Sequence, residues 1–219
     1  MEKIAIAMIN HKGGVGKTTL AVILSQIAMK TGAKVVAVDL DKQRNFTDAM
    51  SLVQGRYGDS LTITDKISDD GDVIILDCPP AIGDVTAQAL DFSDITLVPV
   101  HPDMFSLSNL GVVYEFGKNR GKAFEQMAIV KVGFSVKNKG LTEIATDALS
   151  AREYSTAGEI ALNKLIPYNI ASGRVWEAGI PVPARGPYTQ LYTHVLEAYK
   201  TMLLGDFKNA WRMKNNART

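Results

Sequence analysis

The sequence is almost without cysteine: Cys78 is the only one in 219 residues. One thiol cannot close a disulfide within the chain, and it leaves no cysteine cluster for zinc. It also suits a reducing cytosol. Neither sign of charge is in excess, with 24 Lys and Arg against 23 Asp and Glu. A formal net charge of +1 supplies no global field for nucleic acid, so any such binding has to come from a local patch. Long apolar runs are missing as well. Nothing approaches the roughly 18 apolar residues of a membrane-crossing helix. The N-terminus enters an apolar pattern directly, without the charged and hydrophobic regions of a signal peptide. These absences lead to the expectation of a soluble, cytoplasmic protein. Its length fits a single α/β domain over residues 1–205 with a basic C-terminal tail at 206–219.

What the chain does have is the stretch His11-Lys12-Gly13-Gly14-Val15-Gly16-Lys17-Thr18-Thr19. An apolar run, Ile4 to Ile9, precedes it and reads as a buried strand. Leu20, Ile23, Leu24, Ile27 and Ala28 follow at the spacing of one helix face. A glycine-rich turn between strand and helix points backbone N–H groups outward at the positive end of the helix, which is a phosphate site. Gly13, Gly14 and Gly16 are expected to take positive φ and admit an anion closely. Lys17 is placed to reach terminal phosphates, and the Thr18 hydroxyl to ligate Mg²⁺. His11 stands where the general P-loop has its first glycine, and Lys12 is an additional cation ahead of the glycines. The alternative is a glycine-rich turn that binds nothing; the agreement of strand, loop, lysines and helix disfavours it.

Two further strand patterns end in acids. Lys34 to Asp39 continues into Leu40-Asp41-Lys42-Gln43, and a two-residue spacing at a strand end puts Asp39 and Asp41 on one side. Acids at the carboxyl end of a parallel strand sit where open α/β sheets bind ligands. A solvated acidic turn is the plainer alternative. Val73 to Asp77 repeats the arrangement: four apolar residues deliver one carboxylate, after a turn signal at Asp70-Gly71.

Ile95 to Val100 reads as another strand, with Pro99 near its end rather than in the ladder centre. A helix is expected from about Ser106 to Lys118, a strand at Met127 to Phe134, and a helix at Leu141 to Ala151 with Leu141, Ile144, Ala145 and Ala148 on one face. Ser155 to Lys164 is ambiguous. The last helix carries Leu191, Val195, Tyr199 and Met202 on its apolar face, with Pro187 in its first turn. Strands alternating with helices, without internal repeats, define a doubly wound, mostly parallel sheet with helices on both faces. The tail carries Lys208, Arg212, Lys214 and Arg218 against one acid. It reads first as a solvated terminus, then as a DNA contact, and last as a membrane-surface segment.

Five landmarks together resemble the ParA/MinD family of P-loop ATPases. Lys12 to Thr19 is similar to that family's deviant Walker A motif, and Asp39 to Asn45 to its D-x-D-P-Q-G-N segment. Val73 to Pro80 resembles its Walker B ending in D-x-P-P, and Pro99 to Pro102 its P-V-x-P segment. Ile166 to Asn169 resembles an I-P-x-N stretch near the base pocket. The likeness covers most of residues 3–204 and is that of a small ParA lacking an operator-binding domain. Lys42 and Arg44 depart from the usual Pro and Gly, and Phe134 to Lys139 departs from a T-M-x-D-x-R segment.

The resemblance implies ATP and Mg²⁺ as cofactors. Backbone amides of Gly13, Gly14, Val15, Gly16, Lys17, Thr18 and Thr19 would hold phosphates. Lys12 would reach the nucleotide of an opposite subunit, and Asp41 would orient the attacking water. Thr18, Asp39 and Asp77 would serve the metal and its water shell, while Pro167, Tyr168 and Asn169 would wall the adenine. It further implies a homodimer in the ATP state, non-specific DNA binding with nucleoid association, and a ParB-like or other adaptor that stimulates slow hydrolysis. Arg174, Arg185, Lys208 and Arg212 are DNA-contact candidates by sign and position. The alternatives are a MinD-like membrane-associated positioning ATPase and a ParA-like positioner of protein cargo. An iron–sulfur reductase with the same loop would need two cysteines per subunit, and the chain has only Cys78.

Overall fold

The computed structural model describes residues 2–134, 139–152, 154–160 and 182–211. Seven strands form one sheet: β1 (Ile4–Met8), β2 (Val35–Asp39), β3 (Leu61–Thr64), β4 (Val73–Asp77), β5 (Ile95–Val100), β6 (Met127–Val132) and β7 (Thr156–Ile160). Their order is β3-β2-β4-β1-β5-β6-β7, and every pairing is parallel. The helices are α1 (Lys17–Lys30), α2 (Asn45–Tyr57), α3 (Asp84–Phe92), α4 (Met104–Ser108), α5 (Leu110–Asn119), α6 (Lys139–Ser150) and α7 (Val182–Leu203). This is the doubly wound parallel sheet expected of a P-loop NTPase.

Parallel strands are covered on both faces, which is why β1, β2 and β4 read as unbroken apolar runs. Alternate residues feed two cores. Ile4, Ile6 and Met8 pack with α1, α2 and α7, whereas Ala5, Ala7 and Ile9 pack with α3, α5 and α6. Helix α1 is buried all along from Leu20 to Met29, so it behaves as a core helix rather than a surface one. Ile6 and Ile75, register partners, are each wholly buried. Burial of each such side chain contributes about 1.5–3 kcal/mol. Gly32, at φ 87, ends α1 in the left-handed conformation expected of it.

Several expectations change. The helix expected from Ser106 to Lys118 is two helices, α4 and α5, divided at Asn109. The Asp103 side chain accepts from the Ser106 amide and starts the first of them. Helix α6 buries Ala145 and Leu149, while Leu141 and Ile144 are exposed, so its inward face is rotated from the predicted stripe. Pro187 lies inside α7 instead of its first turn, because that helix begins at Val182. The ambiguous Ser155–Lys164 segment contains edge strand β7, and β3, α2 and α3 occupy stretches left unassigned by periodicity. The tail is docked at its start: Ala210 is buried, and the Trp211 indole donates to the Glu125 carbonyl. Among the described residues no helix is long and apolar enough to cross a membrane.

Candidate functional site

The carboxyl ends of β1, β2 and β4 meet at one edge, and the loop after β1 sits against them. Gly14 and Gly16 have φ of 74 and 97, a region that L side chains avoid, so glycine is required at both. Gly13 is not among the positive-φ residues; the expectation held for two glycines of three. Gly16 is the N-cap of α1, whose first residues are Lys17, Thr18 and Thr19. The free amides of that helix start therefore face the recess. Val15 is buried at 1%, anchoring the loop in apolar surroundings and leaving only its backbone for a ligand.

A recess of about 400 Å³ opens here, lined by Gly13, Gly14, Gly16, Lys17, Thr18, Thr19, Asp41, Gln43, Asn45 and Pro80. Motif reading had named the glycines, Lys17, the threonines and Asp41. Gln43, Asn45 and Pro80 were quoted only as parts of motifs, without a role. Gln43 and Asn45 enter because Asp41 accepts from the Gln43 amide at 3.0 Å, turning the chain into α2, and Pro80 enters from just past the end of β4, beside Gly13.

The acids divide. Asp39 and Asp77 are register partners on adjacent strands, both almost completely buried, and neither lines the recess. Asp39 accepts from the Thr47 amide at 2.7 Å and hydroxyl at 2.9 Å, and from the Asp41 amide at 3.1 Å. It fixes the turn that presents Asp41. Asp77 accepts from the Thr18 hydroxyl at 2.6 Å, and its Oδ1 is buried without a hydrogen-bond partner. Burial pushes the Asp77 carboxyl up to about 7, with the Asp39 charge adding to the rise and the Thr18 bond and Lys17 charge opposing it. A carboxylate with an orphaned oxygen beside a threonine hydroxyl fits a hard, oxygen-seeking cation such as Mg²⁺. The described residues contain no cluster of three or more His, Cys, Asp or Glu able to hold a metal alone. Phosphate oxygens would have to complete the shell.

The two lysines also differ. The Lys17 ammonium, buried, donates to the Lys12 carbonyl at 3.0 Å. Desolvation lowers its pKa, and Asp77, Cys78 and Asp41 oppose that shift. Lys12 points elsewhere: its ammonium binds Asp103 at 2.8 and 2.9 Å and the Ser106 hydroxyl at 3.1 Å. Its amide is held by Asn10, whose own side-chain amide donates to the Pro99 carbonyl at 2.7 Å. His101 approaches the Gly14 carbonyl at 3.3 Å, so the segment after β5 braces the loop. Arg44 takes φ 59 where the related motif carries glycine, and it pairs with Asp65 at 2.7 Å. Pro167, Tyr168, Asn169, Arg174 and Arg212 lie outside the described residues, as does the Arg185 side chain. Lys208 is exposed, on the opposite edge.

A family model described as an AAA domain matches residues 2–64 and 60–127. The chromosome-partitioning ATPase Soj of Treponema pallidum is 21% identical, with 81% of this chain and 88% of Soj covered. Three other curated relatives are matched over only 41%, 57% and 61% of their own length. A structure described as a plasmid partition protein of Borrelia burgdorferi bound to AMPPNP superposes with a TM-score of 0.72 at 18% identity. It covers 88% of this chain and 98% of that one. MinD of Aquifex aeolicus gives 0.71 at 20% identity, covering 88% and 97%. At those identities the structural likeness is one of fold.

Proposed function

Because this chain belongs to the ParA/MinD family of P-loop ATPases, we propose that it binds and hydrolyses ATP as a dimerisation switch for the segregation of a plasmid or chromosome. The observation that carries this reading is the convergence of Lys17, Thr18 and Asp41 on one recess floored by the start of α1. Phosphoryl transfer asks mainly for positioning and charge stabilisation, which two lysines, loop amides and one acid supply.

Amides of residues 13 to 19 hold the phosphates, and Lys17 neutralises the β and γ oxygens. Asp41 orients the attacking water. Thr18 and Asp77 would hold Mg²⁺, which would supply further charge neutralisation to the phosphates, with Asp39 keeping the turn in place. Lys12 reaches the nucleotide of a second subunit once it leaves Asp103, so ATP controls dimerisation. Pro167, Tyr168 and Asn169 wall the adenine. The dimer binds DNA non-specifically through a local basic patch that includes Arg174, Arg185, Lys208 and Arg212, with affinity falling steeply as salt rises. A ParB-like or other adaptor stimulates hydrolysis and release from the nucleoid. Likeness to a chromosome-partitioning ATPase and a plasmid partition protein supports the cargo.

The test is Asp41→Ala. It is expected to bind ATP as wild type does and to hydrolyse it at least 100-fold more slowly. Wild-type turnover in that variant removes the assignment, and ATP-loaded protein that binds DNA no better than nucleotide-free protein removes the DNA part.

One observation favours a second reading. Leu203 and Leu204 are exposed just ahead of the basic tail, at 53% and 87%, and Phe207 within its start, at 37%. That is a short apolar-then-basic segment of the kind that settles on anionic membranes, as a MinD-like positioning ATPase requires. ATP-dependent flotation with anionic liposomes decides between the two.

A further inference from the structure

A second recess, of about 710 Å³, lies on the opposite edge of the sheet from the nucleotide loop. It is lined by Gly111, Tyr114, Glu115, Lys118, Lys122, Phe124, Met127, Arg152 and Tyr154. Nothing in the ATPase reading uses it. Met127 opens β6 and Tyr154 precedes β7, so the recess sits at the amino ends of strands whose carboxyl ends face the other way.

Its inner surface is aromatic. The rings of Tyr114 and Tyr154 are 4.4 Å apart, Tyr114 and Phe124 5.0 Å, and Phe124 lies nearly parallel to Tyr154 at 5.7 Å and 12°. The Tyr114 hydroxyl is already satisfied by the Met127 carbonyl at 2.9 Å, which fixes that ring. Phe124 nonetheless keeps 40% of its surface in solvent. Cations ring the opening. Lys118 and Arg152 are exposed, and Lys122 is anchored on the Ser93 carbonyl. Among the described lining residues these three face one acid, Glu115, while Asp94 and Asp91 also act on Lys122. A neighbouring opening past Phe124 and Arg152 adds Lys208 together with Glu125.

The two glycines of α5 differ in a telling way. A Cβ at Gly117 would overlap the Met127 sulfur, so packing explains that glycine. A Cβ at Gly111 meets nothing within 4 Å. Helical glycine costs roughly 0.5–1 kcal/mol relative to alanine, and among the described residues nothing packs against Gly111, as is also true of Gly55, Gly140 and Gly186 in other helices. What it leaves is room at the wall of the recess.

We propose that this recess docks an acidic segment of a partner protein, which inserts one aromatic side chain against Phe124 and Tyr154 and sets flanking carboxylates on Lys118, Lys122 and Arg152. A half-open recess of this size admits side chains and not a duplex, and a peptide can present an uncharged residue to Glu115 where a regular polyphosphate cannot. The site lies away from the P-loop and shares no lining residue with the nucleotide recess. It therefore tethers a partner without itself triggering hydrolysis.

The probe is a fluorescein-labelled peptide Glu-Asp-Trp-Asp-Glu, followed by anisotropy with the full chain. Saturable binding below 1 mM is expected, equal within twofold with and without ATP. Arg152→Glu and Gly111→Leu should each weaken it at least tenfold while ATP turnover stays at the wild-type value and the melting temperature does not fall. The proposal is overturned by absence of saturable binding, by equal binding of Lys-Lys-Trp-Lys-Lys, or by binding that survives both substitutions. Displacement of the peptide by an oligothymidylate that itself depends on Arg152 overturns it in favour of single-stranded nucleic acid.

Discussion

Asp103 holds the Lys12 ammonium with both carboxylate oxygens, at 2.8 and 2.9 Å, across 91 residues of the same chain. The same carboxylate caps α4, taking the Ser106 amide and hydroxyl at 2.9 and 2.7 Å. Lys12 thus closes a polar knot between the phosphate loop and the segment after β5. If Lys12 serves a second subunit, this knot competes with that contact. Asp103→Asn keeps the cap but removes the charge. It is expected to form ATP-dependent dimers at a lower protein concentration in analytical ultracentrifugation, whereas an unchanged dimer constant rejects the competition.

The pair also sets a pH dependence. Burial alone would raise the Asp103 carboxyl, but the hydrogen bonds from Lys12 and Ser106 and the Lys12 charge outweigh it and hold it at about 2. A carboxyl depressed in the folded state stabilises the fold above its ordinary pKa of 3.8, and the gain is lost as pH falls through the folded value. Both side chains are about a third exposed, so the effect is discounted to about 1 kcal/mol or less. Wild type should melt above Asp103→Asn at pH 6, and the two should converge near pH 2. A gap that persists at pH 2 would contradict this.

Asp77 bears the opposite strain. Its carboxylate is 1% exposed with one oxygen unpaired, which costs stability in the nucleotide-free protein. Asp77→Asn should raise the melting temperature of nucleotide-free protein at pH 8 by several degrees and abolish hydrolysis. Calorimetry of the apo variant that finds it less stable than wild type would show that the buried charge is compensated.

Arg44 keeps a left-handed backbone that a side chain resists by roughly 1–2 kcal/mol. Its ion pair with Asp65 is solvent-exposed and returns little. Arg44→Gly is therefore expected to hold or increase the urea midpoint. A clear drop would mean that the loop depends on the pair.

Gly71 is required for closeness, not for φ. A Cβ there would stand 2.9 Å from a Val36 methyl and 3.0 Å from the Lys34 carbonyl, and the carbonyl cannot step aside because it accepts from the Asp72 amide at 2.8 Å. Gly71→Ala should cost about 1–3 kcal/mol in chemical denaturation. Alanine tolerated without loss would show that β2 yields.

Local sequence carried much of the fold. The unbroken apolar runs of β1, β2, β4 and β5 and the helical spacing from Leu20 to Ala28 needed no partner to be read. Short or mixed elements did not announce themselves. β3, with only Leu61 fully buried, lies at the sheet edge, and α2 buries only Phe46, Ala49, Met50 and Val53 of its thirteen residues. Leu141 and Ile144 fit the helical period as well as Ala145 does, and only packing left them in solvent.

The same division runs through the site. Sequence by itself determined the phosphate loop, because the need for Gly14 and Gly16, and the reach of Lys17 and Thr18, are local properties of a strand-turn-helix. It also determined that Asp39, Asp41 and Asp77 end up at one edge, since parallel strands deliver their carboxyl ends together. The tertiary structure decided which acid does what. Burial and the Thr47 contacts commit Asp39 to the turn, the Thr18 hydroxyl claims Asp77, and Asp41 alone faces the recess. It decided, too, that Lys12 rests on Asp103. A charge finds its partner through the field and space around it, and those are set by residues far away in the chain.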